Sequence, residues 1–166
     1  MSKITFDQHG HLAPYEIIDL DLEGLKWYFV STFEKSLIRE ALYRHLVLLI
    51  EKLQKEIVGG FFILVDGSFI SMKENPGDLD FVVFLSLEEY LKQTPFARHL
   101  VYHKRQFHER GLHVFVEYFC SEELPEFEEA LAVFNYWVHL FSNTKSVNGI
   151  TFPKGIIRLN FNGHQA

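Results

Sequence analysis

The residues best suited to chemistry lie in one short stretch of the chain. Gly67-Ser68 is followed by nine residues (69–77) and then by Asp78-Leu79-Asp80. Side chains two apart on a strand point to the same face. A strand opening at Asp78 therefore projects Asp78 and Asp80 together and sends Leu79 and Phe81 into the core. Two convergent carboxylates are hard oxygen ligands suited to Mg²⁺, with Mn²⁺ as an alternative ion. A glycine just after a strand lets the backbone approach a phosphate closely, and Ser68 can donate to a phosphate oxygen. The expected chemistry is a metal-bound triphosphate attacked in line. Each half alone has an ordinary reading, as a strand end or as turn chemistry beside Pro76-Gly77. Their order, between two strands, is what points to a site.

The elements that must position these residues follow from apolar periodicity. Phe61 to Val65 is a short continuous apolar run, expected as a buried strand that stops at Asp66-Gly67-Ser68. Further strands are expected over Asp78–Leu85, Leu112–Phe119 and Ile156–Phe161. Residues 1–20 read as an N-terminal arm, irregular to residue 16, and Leu22–Phe33 fits a short helix. A longer helix with Ser36 as its N-cap is expected to end at Gly59-Gly60, with Arg39, Glu40, Glu51, Lys52 and Lys55 turned outward. Residues 86–93, 96–109 and 122–141 also read as helical, the last opened by acidic residues that favour the helix dipole. The prediction is one α/β (α+β) domain spanning residues 1–166, with a small mixed β-sheet flanked by helices. Its catalytic strands fall within 61–119, and residues 152–166 form the closing strand and tail.

Composition bounds the function. The chain has 166 residues and a net charge of −6, so it lacks the basic footprint needed for extended nucleic-acid binding. A nucleotide held through a metal ion stays compatible, because the metal supplies the positive charge. The single cysteine, Cys120, the absence of a signal-peptide pattern and the absence of a long apolar run make a soluble cytoplasmic protein the expectation, with no membrane partner. Seventeen Phe, seven Tyr and two Trp are a heavy aromatic load, expected mostly in the core, that also suggests a partner surface or base-stacking site.

The segment VDGSFISMKENPGDLDFVV resembles the polymerase-β-like nucleotidyltransferase superfamily, whose signature is a Gly-Ser pair followed by an Asp-apolar-Asp strand. The likeness extends, through HGHLAP, DGSF…K..PGDLD and FPKGIIRLNF, to a family of small, poorly characterised bacterial nucleotidyltransferase-like proteins. The resemblance implies that Asp78 and Asp80 hold Mg²⁺ and that Gly67 and Ser68 hold the phosphates of an NTP, with ATP the expected nucleotide. It also implies a third carboxylate on a neighbouring strand that completes the metal site and acts as general base. Glu117, within HVFVEYF, is the candidate; it shares a strand face with His113 and Phe115. Asp66 departs from the apolar residue usual before the glycine, and reads either as a fourth site acid or as a turn acid. Lys73 reads as a phosphate-steadying cation or a solvated loop residue.

Other signals are weaker. His99 and His103 have metal-ligand spacing on a helix but no accompanying Glu or third ligand, and His9 and His11 are uninformative. Arg39 and His45, six apart, lie about 120° apart on a helix and do not form a pair. The basic stretch 103–113 is either a solvated helix end or a patch for an anionic substrate. The helix carrying Phe134, Tyr136, Trp137 and Phe141 reads as core. The functional expectation is Mg²⁺-dependent transfer of an NMP from an NTP to an acceptor hydroxyl. The resemblance suggests a protein acceptor or partner in a toxin–antitoxin or defence-type system. The alternatives are a non-catalytic module that senses nucleotide or grips a partner, and a structural subunit that binds no nucleotide.

Overall fold

The chain forms β1 (Thr5–Phe6), β2 (Leu12–Ala13), β3 (Ile17–Leu20), α1 (Leu22–Lys26), α2 (Arg39–Glu56) and β4 (Phe61–Asp66). It continues through β5 (Leu79–Ser86), α3 (Leu87–Lys92), α4 (Pro95–Tyr102), α5 (Lys104–His108), β6 (Leu112–Phe119), α6 (Phe127–Phe141) and β7 (Ile156–Phe161). This computed structural model describes residues 4–163 other than 103 and 147.

Five strands make one mixed sheet in the order β3-β7-β4-β5-β6, and β1 and β2 form a separate hairpin. In the larger sheet β4 runs antiparallel to both β5 and β7, while β5–β6 and β3–β7 are parallel. With helices on both faces this is the expected α+β architecture, a mixed sheet between helical layers.

The strands explain their own composition. Ile63 and Val65 of β4 face the α2 side, where they join Phe81, Val83, Leu46 and Ile50 in the larger apolar cluster. Leu64 faces the other way, against Trp137 and Phe141 of α6, with Val82 and Phe84 beside it. Both faces of β4 and β5 are covered, so their sequences run apolar without alternation.

Three expectations are corrected. The described part of the 1–20 segment, residues 4–20, is not simply an arm, because it holds the β1–β2 hairpin and β3, whose register with β7 pairs Ile17 with Ile156. Ser36 lies ahead of α2 rather than at its cap, although its Oγ accepts the Arg39 backbone N–H at 3.2 Å. Arg39 does not turn outward. It is fully buried, and its guanidinium donates to the carbonyls of Phe29, Phe69, Ser71, Lys73 and Glu74 while lying over the Phe33 ring at 3.7 Å. Helical spacing scores arginine as a surface residue; it cannot register five carbonyls arriving from elsewhere in the chain. Burial lowers the Arg39 pKa to about 10, which leaves it charged at neutral pH. The loop between Gly67 and Asp78 is thus tied to the start of α2.

Candidate functional site

Register brings the site together. Asp66 of β4 lies opposite Asp80 of β5, and Asp80 lies opposite His113 of β6. Residues directly opposite in a sheet point to the same side, so the three side chains stand abreast on adjacent strands. Asp78, two residues before Asp80, joins them at the strand entry. His113 Nδ1 lies 3.0 Å from Asp80 Oδ1 and 3.5 Å from Asp78 Oδ2. Asp78, Asp80 and His113 offer ligand atoms within 4.8 Å of one another, all on half-exposed side chains. The ring of His108 stacks on that of His113 with centroids 4.2 Å apart.

Gly67 is required here for two reasons. Its φ of +84° lies in the left-handed region, and a Cβ at this position would overlap Asp80 Oδ2. The glycine therefore makes space for the Asp80 carboxylate itself, a role that spacing alone does not reveal. Ser68 opens a short 3₁₀ turn to Ile70, and its carbonyl accepts the Ser71 hydroxyl at 2.8 Å. Lys73 is exposed at the cleft, with its carbonyl held by Arg39.

Asp66 is buried and paired with Lys154, whose Nζ donates to Oδ1. Burial raises the Asp66 pKa, while Lys154 and the Gly67 backbone N–H act in the opposite direction. Between the two open readings of Asp66, this geometry favours a structural acid paired with Lys154, standing beside Asp78 and Asp80.

Glu117 is not brought to the site. On β6 it pairs with Phe84, four residues beyond His113, which at strand rise is about 13 Å away. Its Oε1 accepts the Trp137 Nε1–H at 3.1 Å and ties β6 to α6. Alternation correctly places Glu117 on the same face as the aspartates but cannot give the rung. The rung belongs to His113, and Glu117 is the only acid on that strand. The strand face that suggested Glu117 already contained His113.

The site opens into a cleft of about 700 Å³. Its floor carries Gly67, Ser68, Asp78, Asp80 and His113; lysines 73, 145 and 154 stand around it. The aromatic helix divides by face. Trp137 and Phe141 are buried against the sheet, whereas Tyr136 is 60% exposed and lines the cleft. Three separated segments meet here. The Gly10 carbonyl accepts the Met72 N–H, the Leu12 carbonyl accepts the Gly155 N–H, and Lys154 reaches Asp66. His11 and Lys154 consequently line the same cleft, and neither was singled out by spacing; their only signal was membership of HGHLAP and FPKG.

The remaining sequence signals lie elsewhere. His45 Nδ1 contacts the Arg110 carbonyl at 2.9 Å, away from Arg39. His99 stacks near Phe96 and Phe107, while His103 and the side chains of Lys104 and Arg105 lie outside the described residues. No helix among the described residues is long and apolar enough to cross a membrane.

The chain belongs to the DUF6932 family, a family of unknown function, which matches residues 4–160. No curated protein and no solved structure matches it.

Proposed function

We propose that this protein is a divalent-metal-dependent nucleotidyltransferase that moves an NMP from an NTP, ATP foremost, to an acceptor hydroxyl, breaking the α–β phosphoanhydride bond and releasing pyrophosphate. The observation that carries this reading is the convergence of the Gly67-Ser68 loop, the Asp78/Asp80 pair and three lysines on one cleft. The donor set fits a cation such as Mg²⁺ or Mn²⁺, because its carboxylate oxygens are close enough to share one ion and partly open to solvent. When bound, the ion supplies charge neutralisation for the triphosphate.

The chain's own residues supply the rest. Asp78 and Asp80, with His113, hold the ion; Gly67, Ser68 and Lys73 face the phosphates. Arg39 fixes the loop joining these parts. Tyr136 offers a ring for the base at the cleft wall, where stacking contributes about 1–3 kcal/mol. The net charge of −6 supports an acceptor other than extended nucleic acid, and a protein partner of toxin–antitoxin or defence type is the reading we favour. The free Cys120 supports a reducing, cytoplasmic setting.

A second reading, a nucleotide sensor without turnover, is favoured by one observation: no carboxylate stands on the His113 rung of β6 to activate an acceptor. Incubation with α-³²P NTP, metal and candidate acceptors separates the two. Label transfer by the wild type that disappears in Asp78→Asn/Asp80→Asn supports the enzyme. Transfer that persists in the double variant rules out this site, and tight metal-dependent binding without transfer favours the sensor.

A further inference from the structure

We propose that His113 makes this centre selective for a first-row transition ion, Mn²⁺ over Mg²⁺, by adding an imidazole ligand to the two carboxylates. The proposal rests on the reading that a divalent ion sits between Asp78 and Asp80. It does not require that transfer occurs.

The distances have the form of a ligand set. Two donors about 2.1 Å from an octahedral ion and at right angles to each other are about 3.0 Å apart. His113 Nδ1 is 3.0 Å from Asp80 Oδ1 and 3.5 Å from Asp78 Oδ2, and the three ligand atoms lie within 4.8 Å of one another, so a small approach of the side chains lets one ion reach all three. The ring is placed by register opposite Asp80 and packed by the His108 ring at 4.2 Å. Only half exposed, it is not a solvated surface imidazole.

The chemistry then discriminates between ions. Mg²⁺ is hard, takes oxygen ligands and releases its waters reluctantly. Mn²⁺ opens the first-row series of increasing affinity, whose later members imidazole suits, so the nitrogen donor is what separates a first-row ion from Mg²⁺ at otherwise similar carboxylate ligands. Exchanging a third carboxylate for a neutral imidazole also removes one negative charge, the main attraction a protein offers to Mg²⁺. Neither nearby acid restores it. Asp66 is engaged by Lys154, and Glu117 is about 13 Å down its strand.

Electron paramagnetic resonance of Mn²⁺ titrated into the intact protein, without nucleotide, provides the test. The wild type should bind Mn²⁺ more tightly than Mg²⁺ in competition. Bound Mn²⁺ should show the electron spin-echo modulation of a directly coordinated nitrogen. His113→Asp should remove that modulation and lower the Mn²⁺/Mg²⁺ preference several-fold by taking up Mg²⁺ more tightly, with matched thermal unfolding to verify the fold. Mn²⁺ bound to the wild type without nitrogen modulation overturns the proposal by itself, with no variant needed. An unchanged ion preference in His113→Asp also overturns it. Absence of Mn²⁺ binding removes the metal reading beneath it as well. Failure of nucleotide transfer with nitrogen-ligated Mn²⁺ present counts against the enzyme alone.

Discussion

The two faces of the five-stranded sheet are built from the same strands and finished differently. On one face Phe81, Val83, Ile63 and Val65 meet Leu46, Ile50 and Leu53 of α2 in a closed, fully buried layer. On the other, α6 covers only Leu64, Val82, Phe84 and their neighbours, leaving the ends of β4, β5 and β6 open to the cleft. Asp66, Asp80 and His113 all belong to that uncovered end. Apolar burial on the closed face, about 25 cal/mol per Å², supplies the stability that lets the other face keep charged groups together. The same division of labour should make substitutions on the two faces fail in different ways.

The sharpest challenge to this division is Arg39, which packs on the closed side yet holds the loop of the open one. Arg39→Ala strands several carbonyls, each costing about 1–3 kcal/mol if left unpaired. The total loss in denaturant unfolding should be at least about 3 kcal/mol, accompanied by weaker metal binding. A loss of stability with metal affinity intact would show that the loop positions itself. Next in size is Gly67→Ala. Strain from a positive φ costs about 1–3 kcal/mol, and the new methyl displaces Asp80. This variant should lose metal affinity even at temperatures where it remains folded.

Tyr136→Ala should act on the open face alone. It should weaken ATP binding by about 1–2 kcal/mol, leave inorganic triphosphate binding unchanged, and shift the unfolding midpoint little; Tyr136→Phe should restore affinity. Equal losses for ATP and triphosphate would remove the base from this ring. The smallest effect belongs to the far edge, where Arg158 donates twice to Asp19 and Asn160 once. These bonds, Arg158 first, hold the Asp19 pKa below its ordinary value of 3.8. The ionised carboxylate thus stabilises the fold above about pH 4, and the contribution fades as pH falls through the lowered value. Asp19 is half exposed, so Asp19→Asn should cost under about 1 kcal/mol at neutral pH. The difference from wild type should shrink in acid unfolding as pH falls below 3.8 and through the lowered value.

The parts of the molecule legible from sequence are those governed by local spacing. Strands β4 to β7 are apolar runs bounded by turns, and the shared side of Asp78 and Asp80 follows from a period of two. What escaped depends on partners distant in the chain. The four residues of β3 become a strand only through β7. Arg39 is buried because the Phe29 carbonyl and those of a loop 30 residues later converge on it. Glu117 and His113 share a face, so alternation ranks the acid first by residue type; only the β5–β6 register selects the histidine. Lys154 and His11 reach the cleft through the Gly155–Leu12 hydrogen bond joining the two ends of the chain.

Calorimetric titration of ATP into the wild type and Asp78→Asn/Asp80→Asn, each with and without Mn²⁺, tests the central claim most directly. The account predicts saturable ATP binding by the wild type only when the metal is present, and at least about a hundredfold weaker binding by the double variant, some 2.7 kcal/mol. Binding that is indifferent to metal, or equal in the two proteins, would contradict it.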